Sequence, residues 1–139
     1  MKAPARAPPK RSAPPAPAVH TSLWSAAKAN DVRALDRLLG EGLDIDARDA
    51  QGFSPLMLAA LAGHDESFDF LLDRGADPNT ADLGGNSVLM GAAFRGHVGI
   101  VRKLLAAGAD PTLPNHAGLD AHGFALTVGR SEVASLLDK

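Results

Sequence analysis

Five histidines and sixteen carboxylates, with no cysteine, are the side chains here that could move a proton, hold a metal or attack a substrate. The absence of cysteine removes thiolate nucleophiles, thiolate metal ligands and disulfides together. His20, His64, His97, His116 and His122 show no His-Glu-x-x-His or comparable metal-ligand spacing, and a structural zinc site without thiolates has few ligands to draw on. Asp65-Glu66 opens a helical stretch, where two carboxylates complement the helix dipole. Gly84-Gly85 lacks the surrounding pattern of a phosphate-binding loop. Asp49, Asp77, Asp82 and Asp110 fall in polar stretches where aspartate does turn chemistry. No nucleophile, base and orienting group can be nominated together, so the expectation is no enzyme, no cofactor and no metal.

A repeat accounts for most of these residues. Aligning Asp49–Ala81 with Asp82–Pro114, a shift of 33 residues, gives 15 identities. His64 and His97 recur at one slot of this frame, as do the four aspartates in pairs, so structural roles explain them. A further shift in each direction finds two more degenerate units, giving approximate repeats at 21–48, 49–81, 82–114 and 115–139. Within a unit the signals are those of two short helices and a turn. Ser54 is an N-cap and Pro55 suits the first helical position, where its missing N–H is no loss. Gly63 and Gly96 end the first helix. The second helix carries an apolar i, i+3, i+4 face: Leu35, Leu38, Leu39, then Phe68, Leu71, Leu72, then Val101, Leu104, Leu105. Gly42, Gly75 and Gly108 stop it. One helix pair cannot enclose its own apolar face, so the units must stack, with the degenerate outer ones as caps. The expected fold is all-α: a solenoid of four stacked helix-turn-helix units.

These residues resemble the ankyrin repeat, with its 33-residue period and Thr-Pro-Leu-His-x-Ala signature. The signature appears as Thr21-Ser-Leu-Trp-Ser-Ala26, Ser54-Pro-Leu-Met-Leu-Ala59 and Ser87-Val-Leu-Met-Gly-Ala92, followed by Gly63-His64 and Gly96-His97, then Gly75-Ala-Asp-Pro78 and Gly108-Ala-Asp-Pro111. Trp24, Met57 and Met90 depart from the pattern by standing where the signature histidine belongs. Trp24 is expected to pack the N-terminal cap. The resemblance implies a small stand-alone repeat protein of bacterial type, with hairpin-like loops projecting from a concave face that binds another protein. In such a family the positions facing the partner lie at hairpin tips and on the exposed side of the first helix. Carried onto this chain, they hold Phe53, Leu61, Leu83, Asn86, Phe94, Arg95 and Leu119. The large apolar residues among them are expected to be exposed, and aromatic and Arg side chains are favoured anchors at interfaces.

Outside the repeats, residues 1–20 hold six of the ten prolines and four basic residues (Lys2, Arg6, Lys10 and Arg11) with no acid. The tail is thus +4, while the remaining 10 basic and 16 acidic residues leave the body at −6. A Pro/Ala segment with so little apolar bulk is expected to stay disordered with polyproline II character. Arg11-Ser-Ala-Pro14-Pro-Ala-Pro17 sets a basic residue before a PxxP segment, so the alternative reading is an adaptor or inhibitor acting through the tail, by groove binding or weak nucleic-acid contact. The acidic body opposes nucleic acid, and no apolar run approaches the roughly 18 residues needed to span a bilayer. The expectation is a cytoplasmic monomer with a protein partner.

Overall fold

A computed structural model describes residues 22–137; the basic tail, Thr21, Asp138 and Lys139 lie outside the described residues. The described chain forms eight helices, as four pairs: α1 (Leu23–Lys28) with α2 (Val32–Gly40), α3 (Pro55–Ala62) with α4 (Asp65–Asp73), α5 (Val88–Arg95) with α6 (Val98–Ala106), and α7 (Ala121–Thr127) with α8 (Ser131–Leu137). Among the described residues extended pairing is limited to one isolated bridge, Ala81 with Ser87. The first helices stack in the order α1, α3, α5, α7, and the second helices form a parallel layer behind them. The expected all-α repeat stack is what the chain builds.

Local chemistry sets the helix ends. The side chains of Ser54, Ser87 and Asp120 each accept the N–H three residues on, which satisfies one of the orphan donors of the first turn. In the first unit this cap is Ser22, one residue later than the repeat register places it. The first helices end at Gly63 and Gly96 in the left-handed region, φ 73° and 74°. Asn30 occupies the same slot with φ 57°. Asparagine tolerates this conformation better than most residues, and its Oδ1 is used there, accepting from both the N–H and the Oγ–H of Ser67 (3.2 and 2.7 Å).

Burial follows the repeat frame. α3 is buried from Pro55 through Ala60, because it lies between α1, α4 and α5. Of each apolar triad on α2, α4 and α6, the first two residues are buried and the third (Leu39, Leu72 and Leu105) is half-buried. Met57 and Met90 are buried and fill the signature-histidine slot as apolar packing. Trp24, half-buried on the core, gives that slot a polar contact in the first unit: its Nε1–H donates to the Ala47 carbonyl (2.8 Å). Ala27, Ala60 and Ala93 are fully buried at one slot, but Leu126 occupies it in the last unit and is 56% exposed. That residue belongs to the last described unit, with no described unit stacked beyond it.

Polar ties at the repeat period join neighbouring units. His64 Nε2 reaches the Lys28 carbonyl (2.9 Å) and His97 Nε2 the Leu61 carbonyl (3.3 Å). A carbonyl can only accept, so Nε2 carries the proton in both rings. Arg130 replaces histidine in the last unit and donates from Nε to the Phe94 carbonyl (3.0 Å). On the opposite face Lys103 bridges Asp65 and Asp69 (3.4 and 3.0 Å). The hydrogen bond to Asp69, foremost, and the charges of both carboxylates raise the Lys103 pKa.

Candidate partner-binding surface

Three of the turn aspartate and asparagine residues shape the hairpin tips. Asp49 Oδ1 accepts from the N–H groups of Gln51 and Phe53, Asp82 Oδ1 from Gly84 and Asn86, and Asn115 Oδ1 from Ala117 and Leu119. Adjacent tips are then joined by backbone bonds, Leu83 N–H to the Gln51 carbonyl (3.2 Å) and His116 N–H to the Gly84 carbonyl (2.9 Å). The turn chemistry expected of Asp77 and Asp110 is also present, each accepting the N–H two residues on. Hydrogen bonds from the hydroxyl and N–H of Thr112 hold the Asp110 carboxyl below the usual carboxylate range.

Between these tips and the first helices runs an open groove of about 240 Å³, lined chiefly by Phe53, Met57, Leu61, Gly91, Phe94 and Phe124. Its floor is open because Gly91 has no side chain: a Cβ there would lie 3.0 Å from Leu61 Cδ2. Phe94 and Phe124 form one wall, ring centroids 6.5 Å apart and tilted by 53°, within the range of favourable aromatic pairs. The Arg95 guanidinium lies 5.9 Å from the Phe94 centroid, a cation–π distance.

The seven residues picked out from the sequence divide unevenly. Leu83 and Phe94 are exposed, at 68% and 49%, and Arg95 is exposed beside Phe94. Phe53 and Leu61 are half-buried and packed against the core, and Leu119 is also half-buried, which corrects the expectation that all the large apolar residues stand free. The physical reason is the stacking of tips and first helices, which covers one side of each. Phe53 and Leu61 nonetheless line the groove. Asn86 also borders the groove, but its side chain is engaged: Oδ1 accepts from Asn115 Nδ2 (2.9 Å) and Nδ2 donates to Asp82 (3.4 Å). Leu119 is outside the groove lining. Sequence reasoning missed Phe124 and the opening at Gly91. Both occupy one repeat slot with Leu58, and that alternation of Leu, Gly and Phe was the available signal.

Among the described residues no three His, Cys, Asp or Glu side chains gather as a metal site requires. No described helix is long and apolar enough to cross a membrane.

A two-layer helical stack with polar ties between units and an apolar groove along one face defines a repeat scaffold of the interaction type. A family model for ankyrin repeats (three copies) matches residues 23–115, about two thirds of the chain. The chain belongs to the ankyrin-repeat family, whose members generally mediate protein–protein interaction and are generally non-catalytic. It is also similar to the mitochondrial disaggregase of Bos taurus, with 46% identity over 44 residues, 32% of this chain. The chain spans 6% of the length of that curated relative.

Proposed function

We propose that this chain is a non-catalytic binding module that holds a partner protein along the hairpin face, with residues 21–139 as the binding body and 1–20 as an appended segment. The observation that carries the reading is the aromatic groove beside the exposed Phe94 and Leu83. Phe94 and Leu83 present apolar surface to water at 49% and 68% exposure, and apolar surface of this kind next to a concavity is where partners gain most from burial. Arg95 adds a cation at the groove edge, and the acidic tips add an electrostatic rim that favours a basic or neutral partner segment.

The test is affinity capture from the source cells with wild type and with a Leu83→Glu, Phe94→Glu variant, read by mass spectrometry. Both residues are exposed, so the variant is expected to keep the helical circular dichroism and cooperative melting of wild type, with the melting temperature lowered by a few degrees for the lost Phe94–Phe124 contact. A protein retained by wild type and lost by the folded variant supports the reading. Equal retention by both removes the hairpin face from consideration.

A further inference from the structure

We infer that the groove has an occupant within the chain itself: residues 4–17 lie in it in cis, prolines and alanines against the phenylalanine rings and basic side chains along the aspartates of the hairpin edge. This goes beyond partner binding and stands without it.

Three observations support the assignment. The first is matching chemistry. Phe53, Phe94 and Phe124, three of the chain's five phenylalanines, line the groove, and aromatic-lined grooves are the surfaces that take proline-rich segments. Residues 4–17 contain Pro4, Pro8, Pro9, Pro14, Pro15 and Pro17. Proline is already restricted in φ, so a segment rich in it loses less conformational entropy on docking than an ordinary one.

The second is charge. The same segment carries Arg6, Lys10 and Arg11 and no acid. The hairpin loops (42–53, 75–86 and 108–119) present Asp44, Asp46, Asp49, Asp77, Asp82 and Asp110 against a single base, Arg48. Arg48 donates to the Ala81 carbonyl (2.7 Å). Asp49 borders the concavity nearest Ser22 and Asp82 borders the groove, so a cationic segment on this path meets opposite charge at both points, with Lys28 and Arg95 as the like charges beside it.

The third is reach and point of entry. The described chain begins at Ser22, which borders an open concavity of about 530 Å³ together with Trp24, Lys28, Asp49 and Gln51. Asp49 and Gln51 belong to the hairpin that ends at Phe53, so this concavity leads from the tail's attachment point towards the groove. Stacked helices are roughly 10 Å apart, which puts the groove about 10 to 30 Å from Ser22. The residues before Ser22 span on the order of 60 Å as an extended polyproline helix, ample to lie along the groove. Docked there, the tail and a partner compete for one surface, and the partner must displace the tail.

The test uses the full chain. Because cysteine is absent, a Ser12→Cys variant takes a nitroxide label at one site, and amide line broadening maps where the tail goes. The expected result is broadening of more than twofold at Gly91, Phe94 and Phe124 with α4 and α6 untouched. It should diminish with added salt, as a contact with a charged edge is screened, and disappear in a Phe94→Asp background that remains folded. Broadening over α4 and α6 instead, or none specific to any site, overturns the proposal. Labelled chain mixed with isotope-enriched unlabelled chain gives a second check: groove broadening there that matches the intramolecular signal assigns the groove to another copy's tail and overturns the cis arrangement.

Discussion

Gly63 and Gly96 offer a matched pair for testing how the units are joined. Their backbones are nearly the same, φ 73° and ψ 26° against φ 74° and ψ 24°, so placing alanine at either carries the same left-handed penalty. That penalty is about 1–2 kcal/mol, offset in part by the roughly 0.4–1 kcal/mol gained from restricting the unfolded chain. The net is about 1 kcal/mol at both sites. The neighbours differ. A Cβ on Gly96 would lie 3.1 Å from the exposed guanidinium of Arg130, which can swing aside, and water replaces the exposed Nε hydrogen bond to the Phe94 carbonyl if that movement breaks it. A Cβ on Gly63 would lie 2.8 Å from His97 Cε1 and 3.0 Å from its Nε2, the atom that donates to Leu61. The ring must move and its hydrogen bond is lost, a further cost of about 1 kcal/mol or somewhat more. Gly96→Ala should therefore cost about 1 kcal/mol and Gly63→Ala about 2–3 kcal/mol in urea unfolding followed by circular dichroism, a few degrees of melting temperature apart. In a His97→Ala background the cost of Gly63→Ala should fall back to about 1 kcal/mol, a clear coupling in a double-mutant cycle. Equal costs at the two glycines, or an additive cycle, would refute the role given to the His97 ring.

Other sites yield shorter predictions. Asn30→Ala strains a left-handed residue and leaves two donors of the buried Ser67 unmet, for about 2–4 kcal/mol, whereas Asn30→Gly keeps the backbone relaxed and should cost about 1–2 kcal/mol; chemical denaturation ranks them. Phe68 is fully buried in α4, and Phe68→Ala should cost about 3–5 kcal/mol by the same assay. The Asp110 carboxyl, lowered by the Thr112 hydroxyl and then its N–H, contributes stability that is present above its unfolded pKa and lost as pH falls through the folded one. Thr112→Val should raise the Asp110 pKa in a carboxyl NMR titration, and an unchanged value would discount the hydroxyl.

What could be read from the sequence was whatever recurs. The 33-residue frame placed Ser54, Gly63 and the Leu71 and Leu104 faces correctly, because caps and buried faces depend on residues within a few positions of one another. The role of His64 and His97 could be inferred as structural from recurrence, though not that each bonds a carbonyl 36 residues earlier. Exposure was less legible. Phe53, Leu61 and Leu119 sit at variable slots, yet neighbouring tips and helices cover part of each, and that depends on side chains a full repeat away. The groove itself arises where Gly91 omits a side chain between Leu61 and Phe124, a relation among three units that no single unit contains.

A partner on the hairpin face can be located directly. The most direct measurement is site-specific photo-crosslinking in the source cells, with a photoreactive amino acid at position 94 beside the groove or at position 102 on α6 behind it. Both positions are exposed in the described structure, so access alone does not favour either. A partner on the hairpin face gives one defined adduct from position 94, the same protein captured by wild type, and none from position 102. An adduct from position 102 with nothing at 94 would contradict that placement.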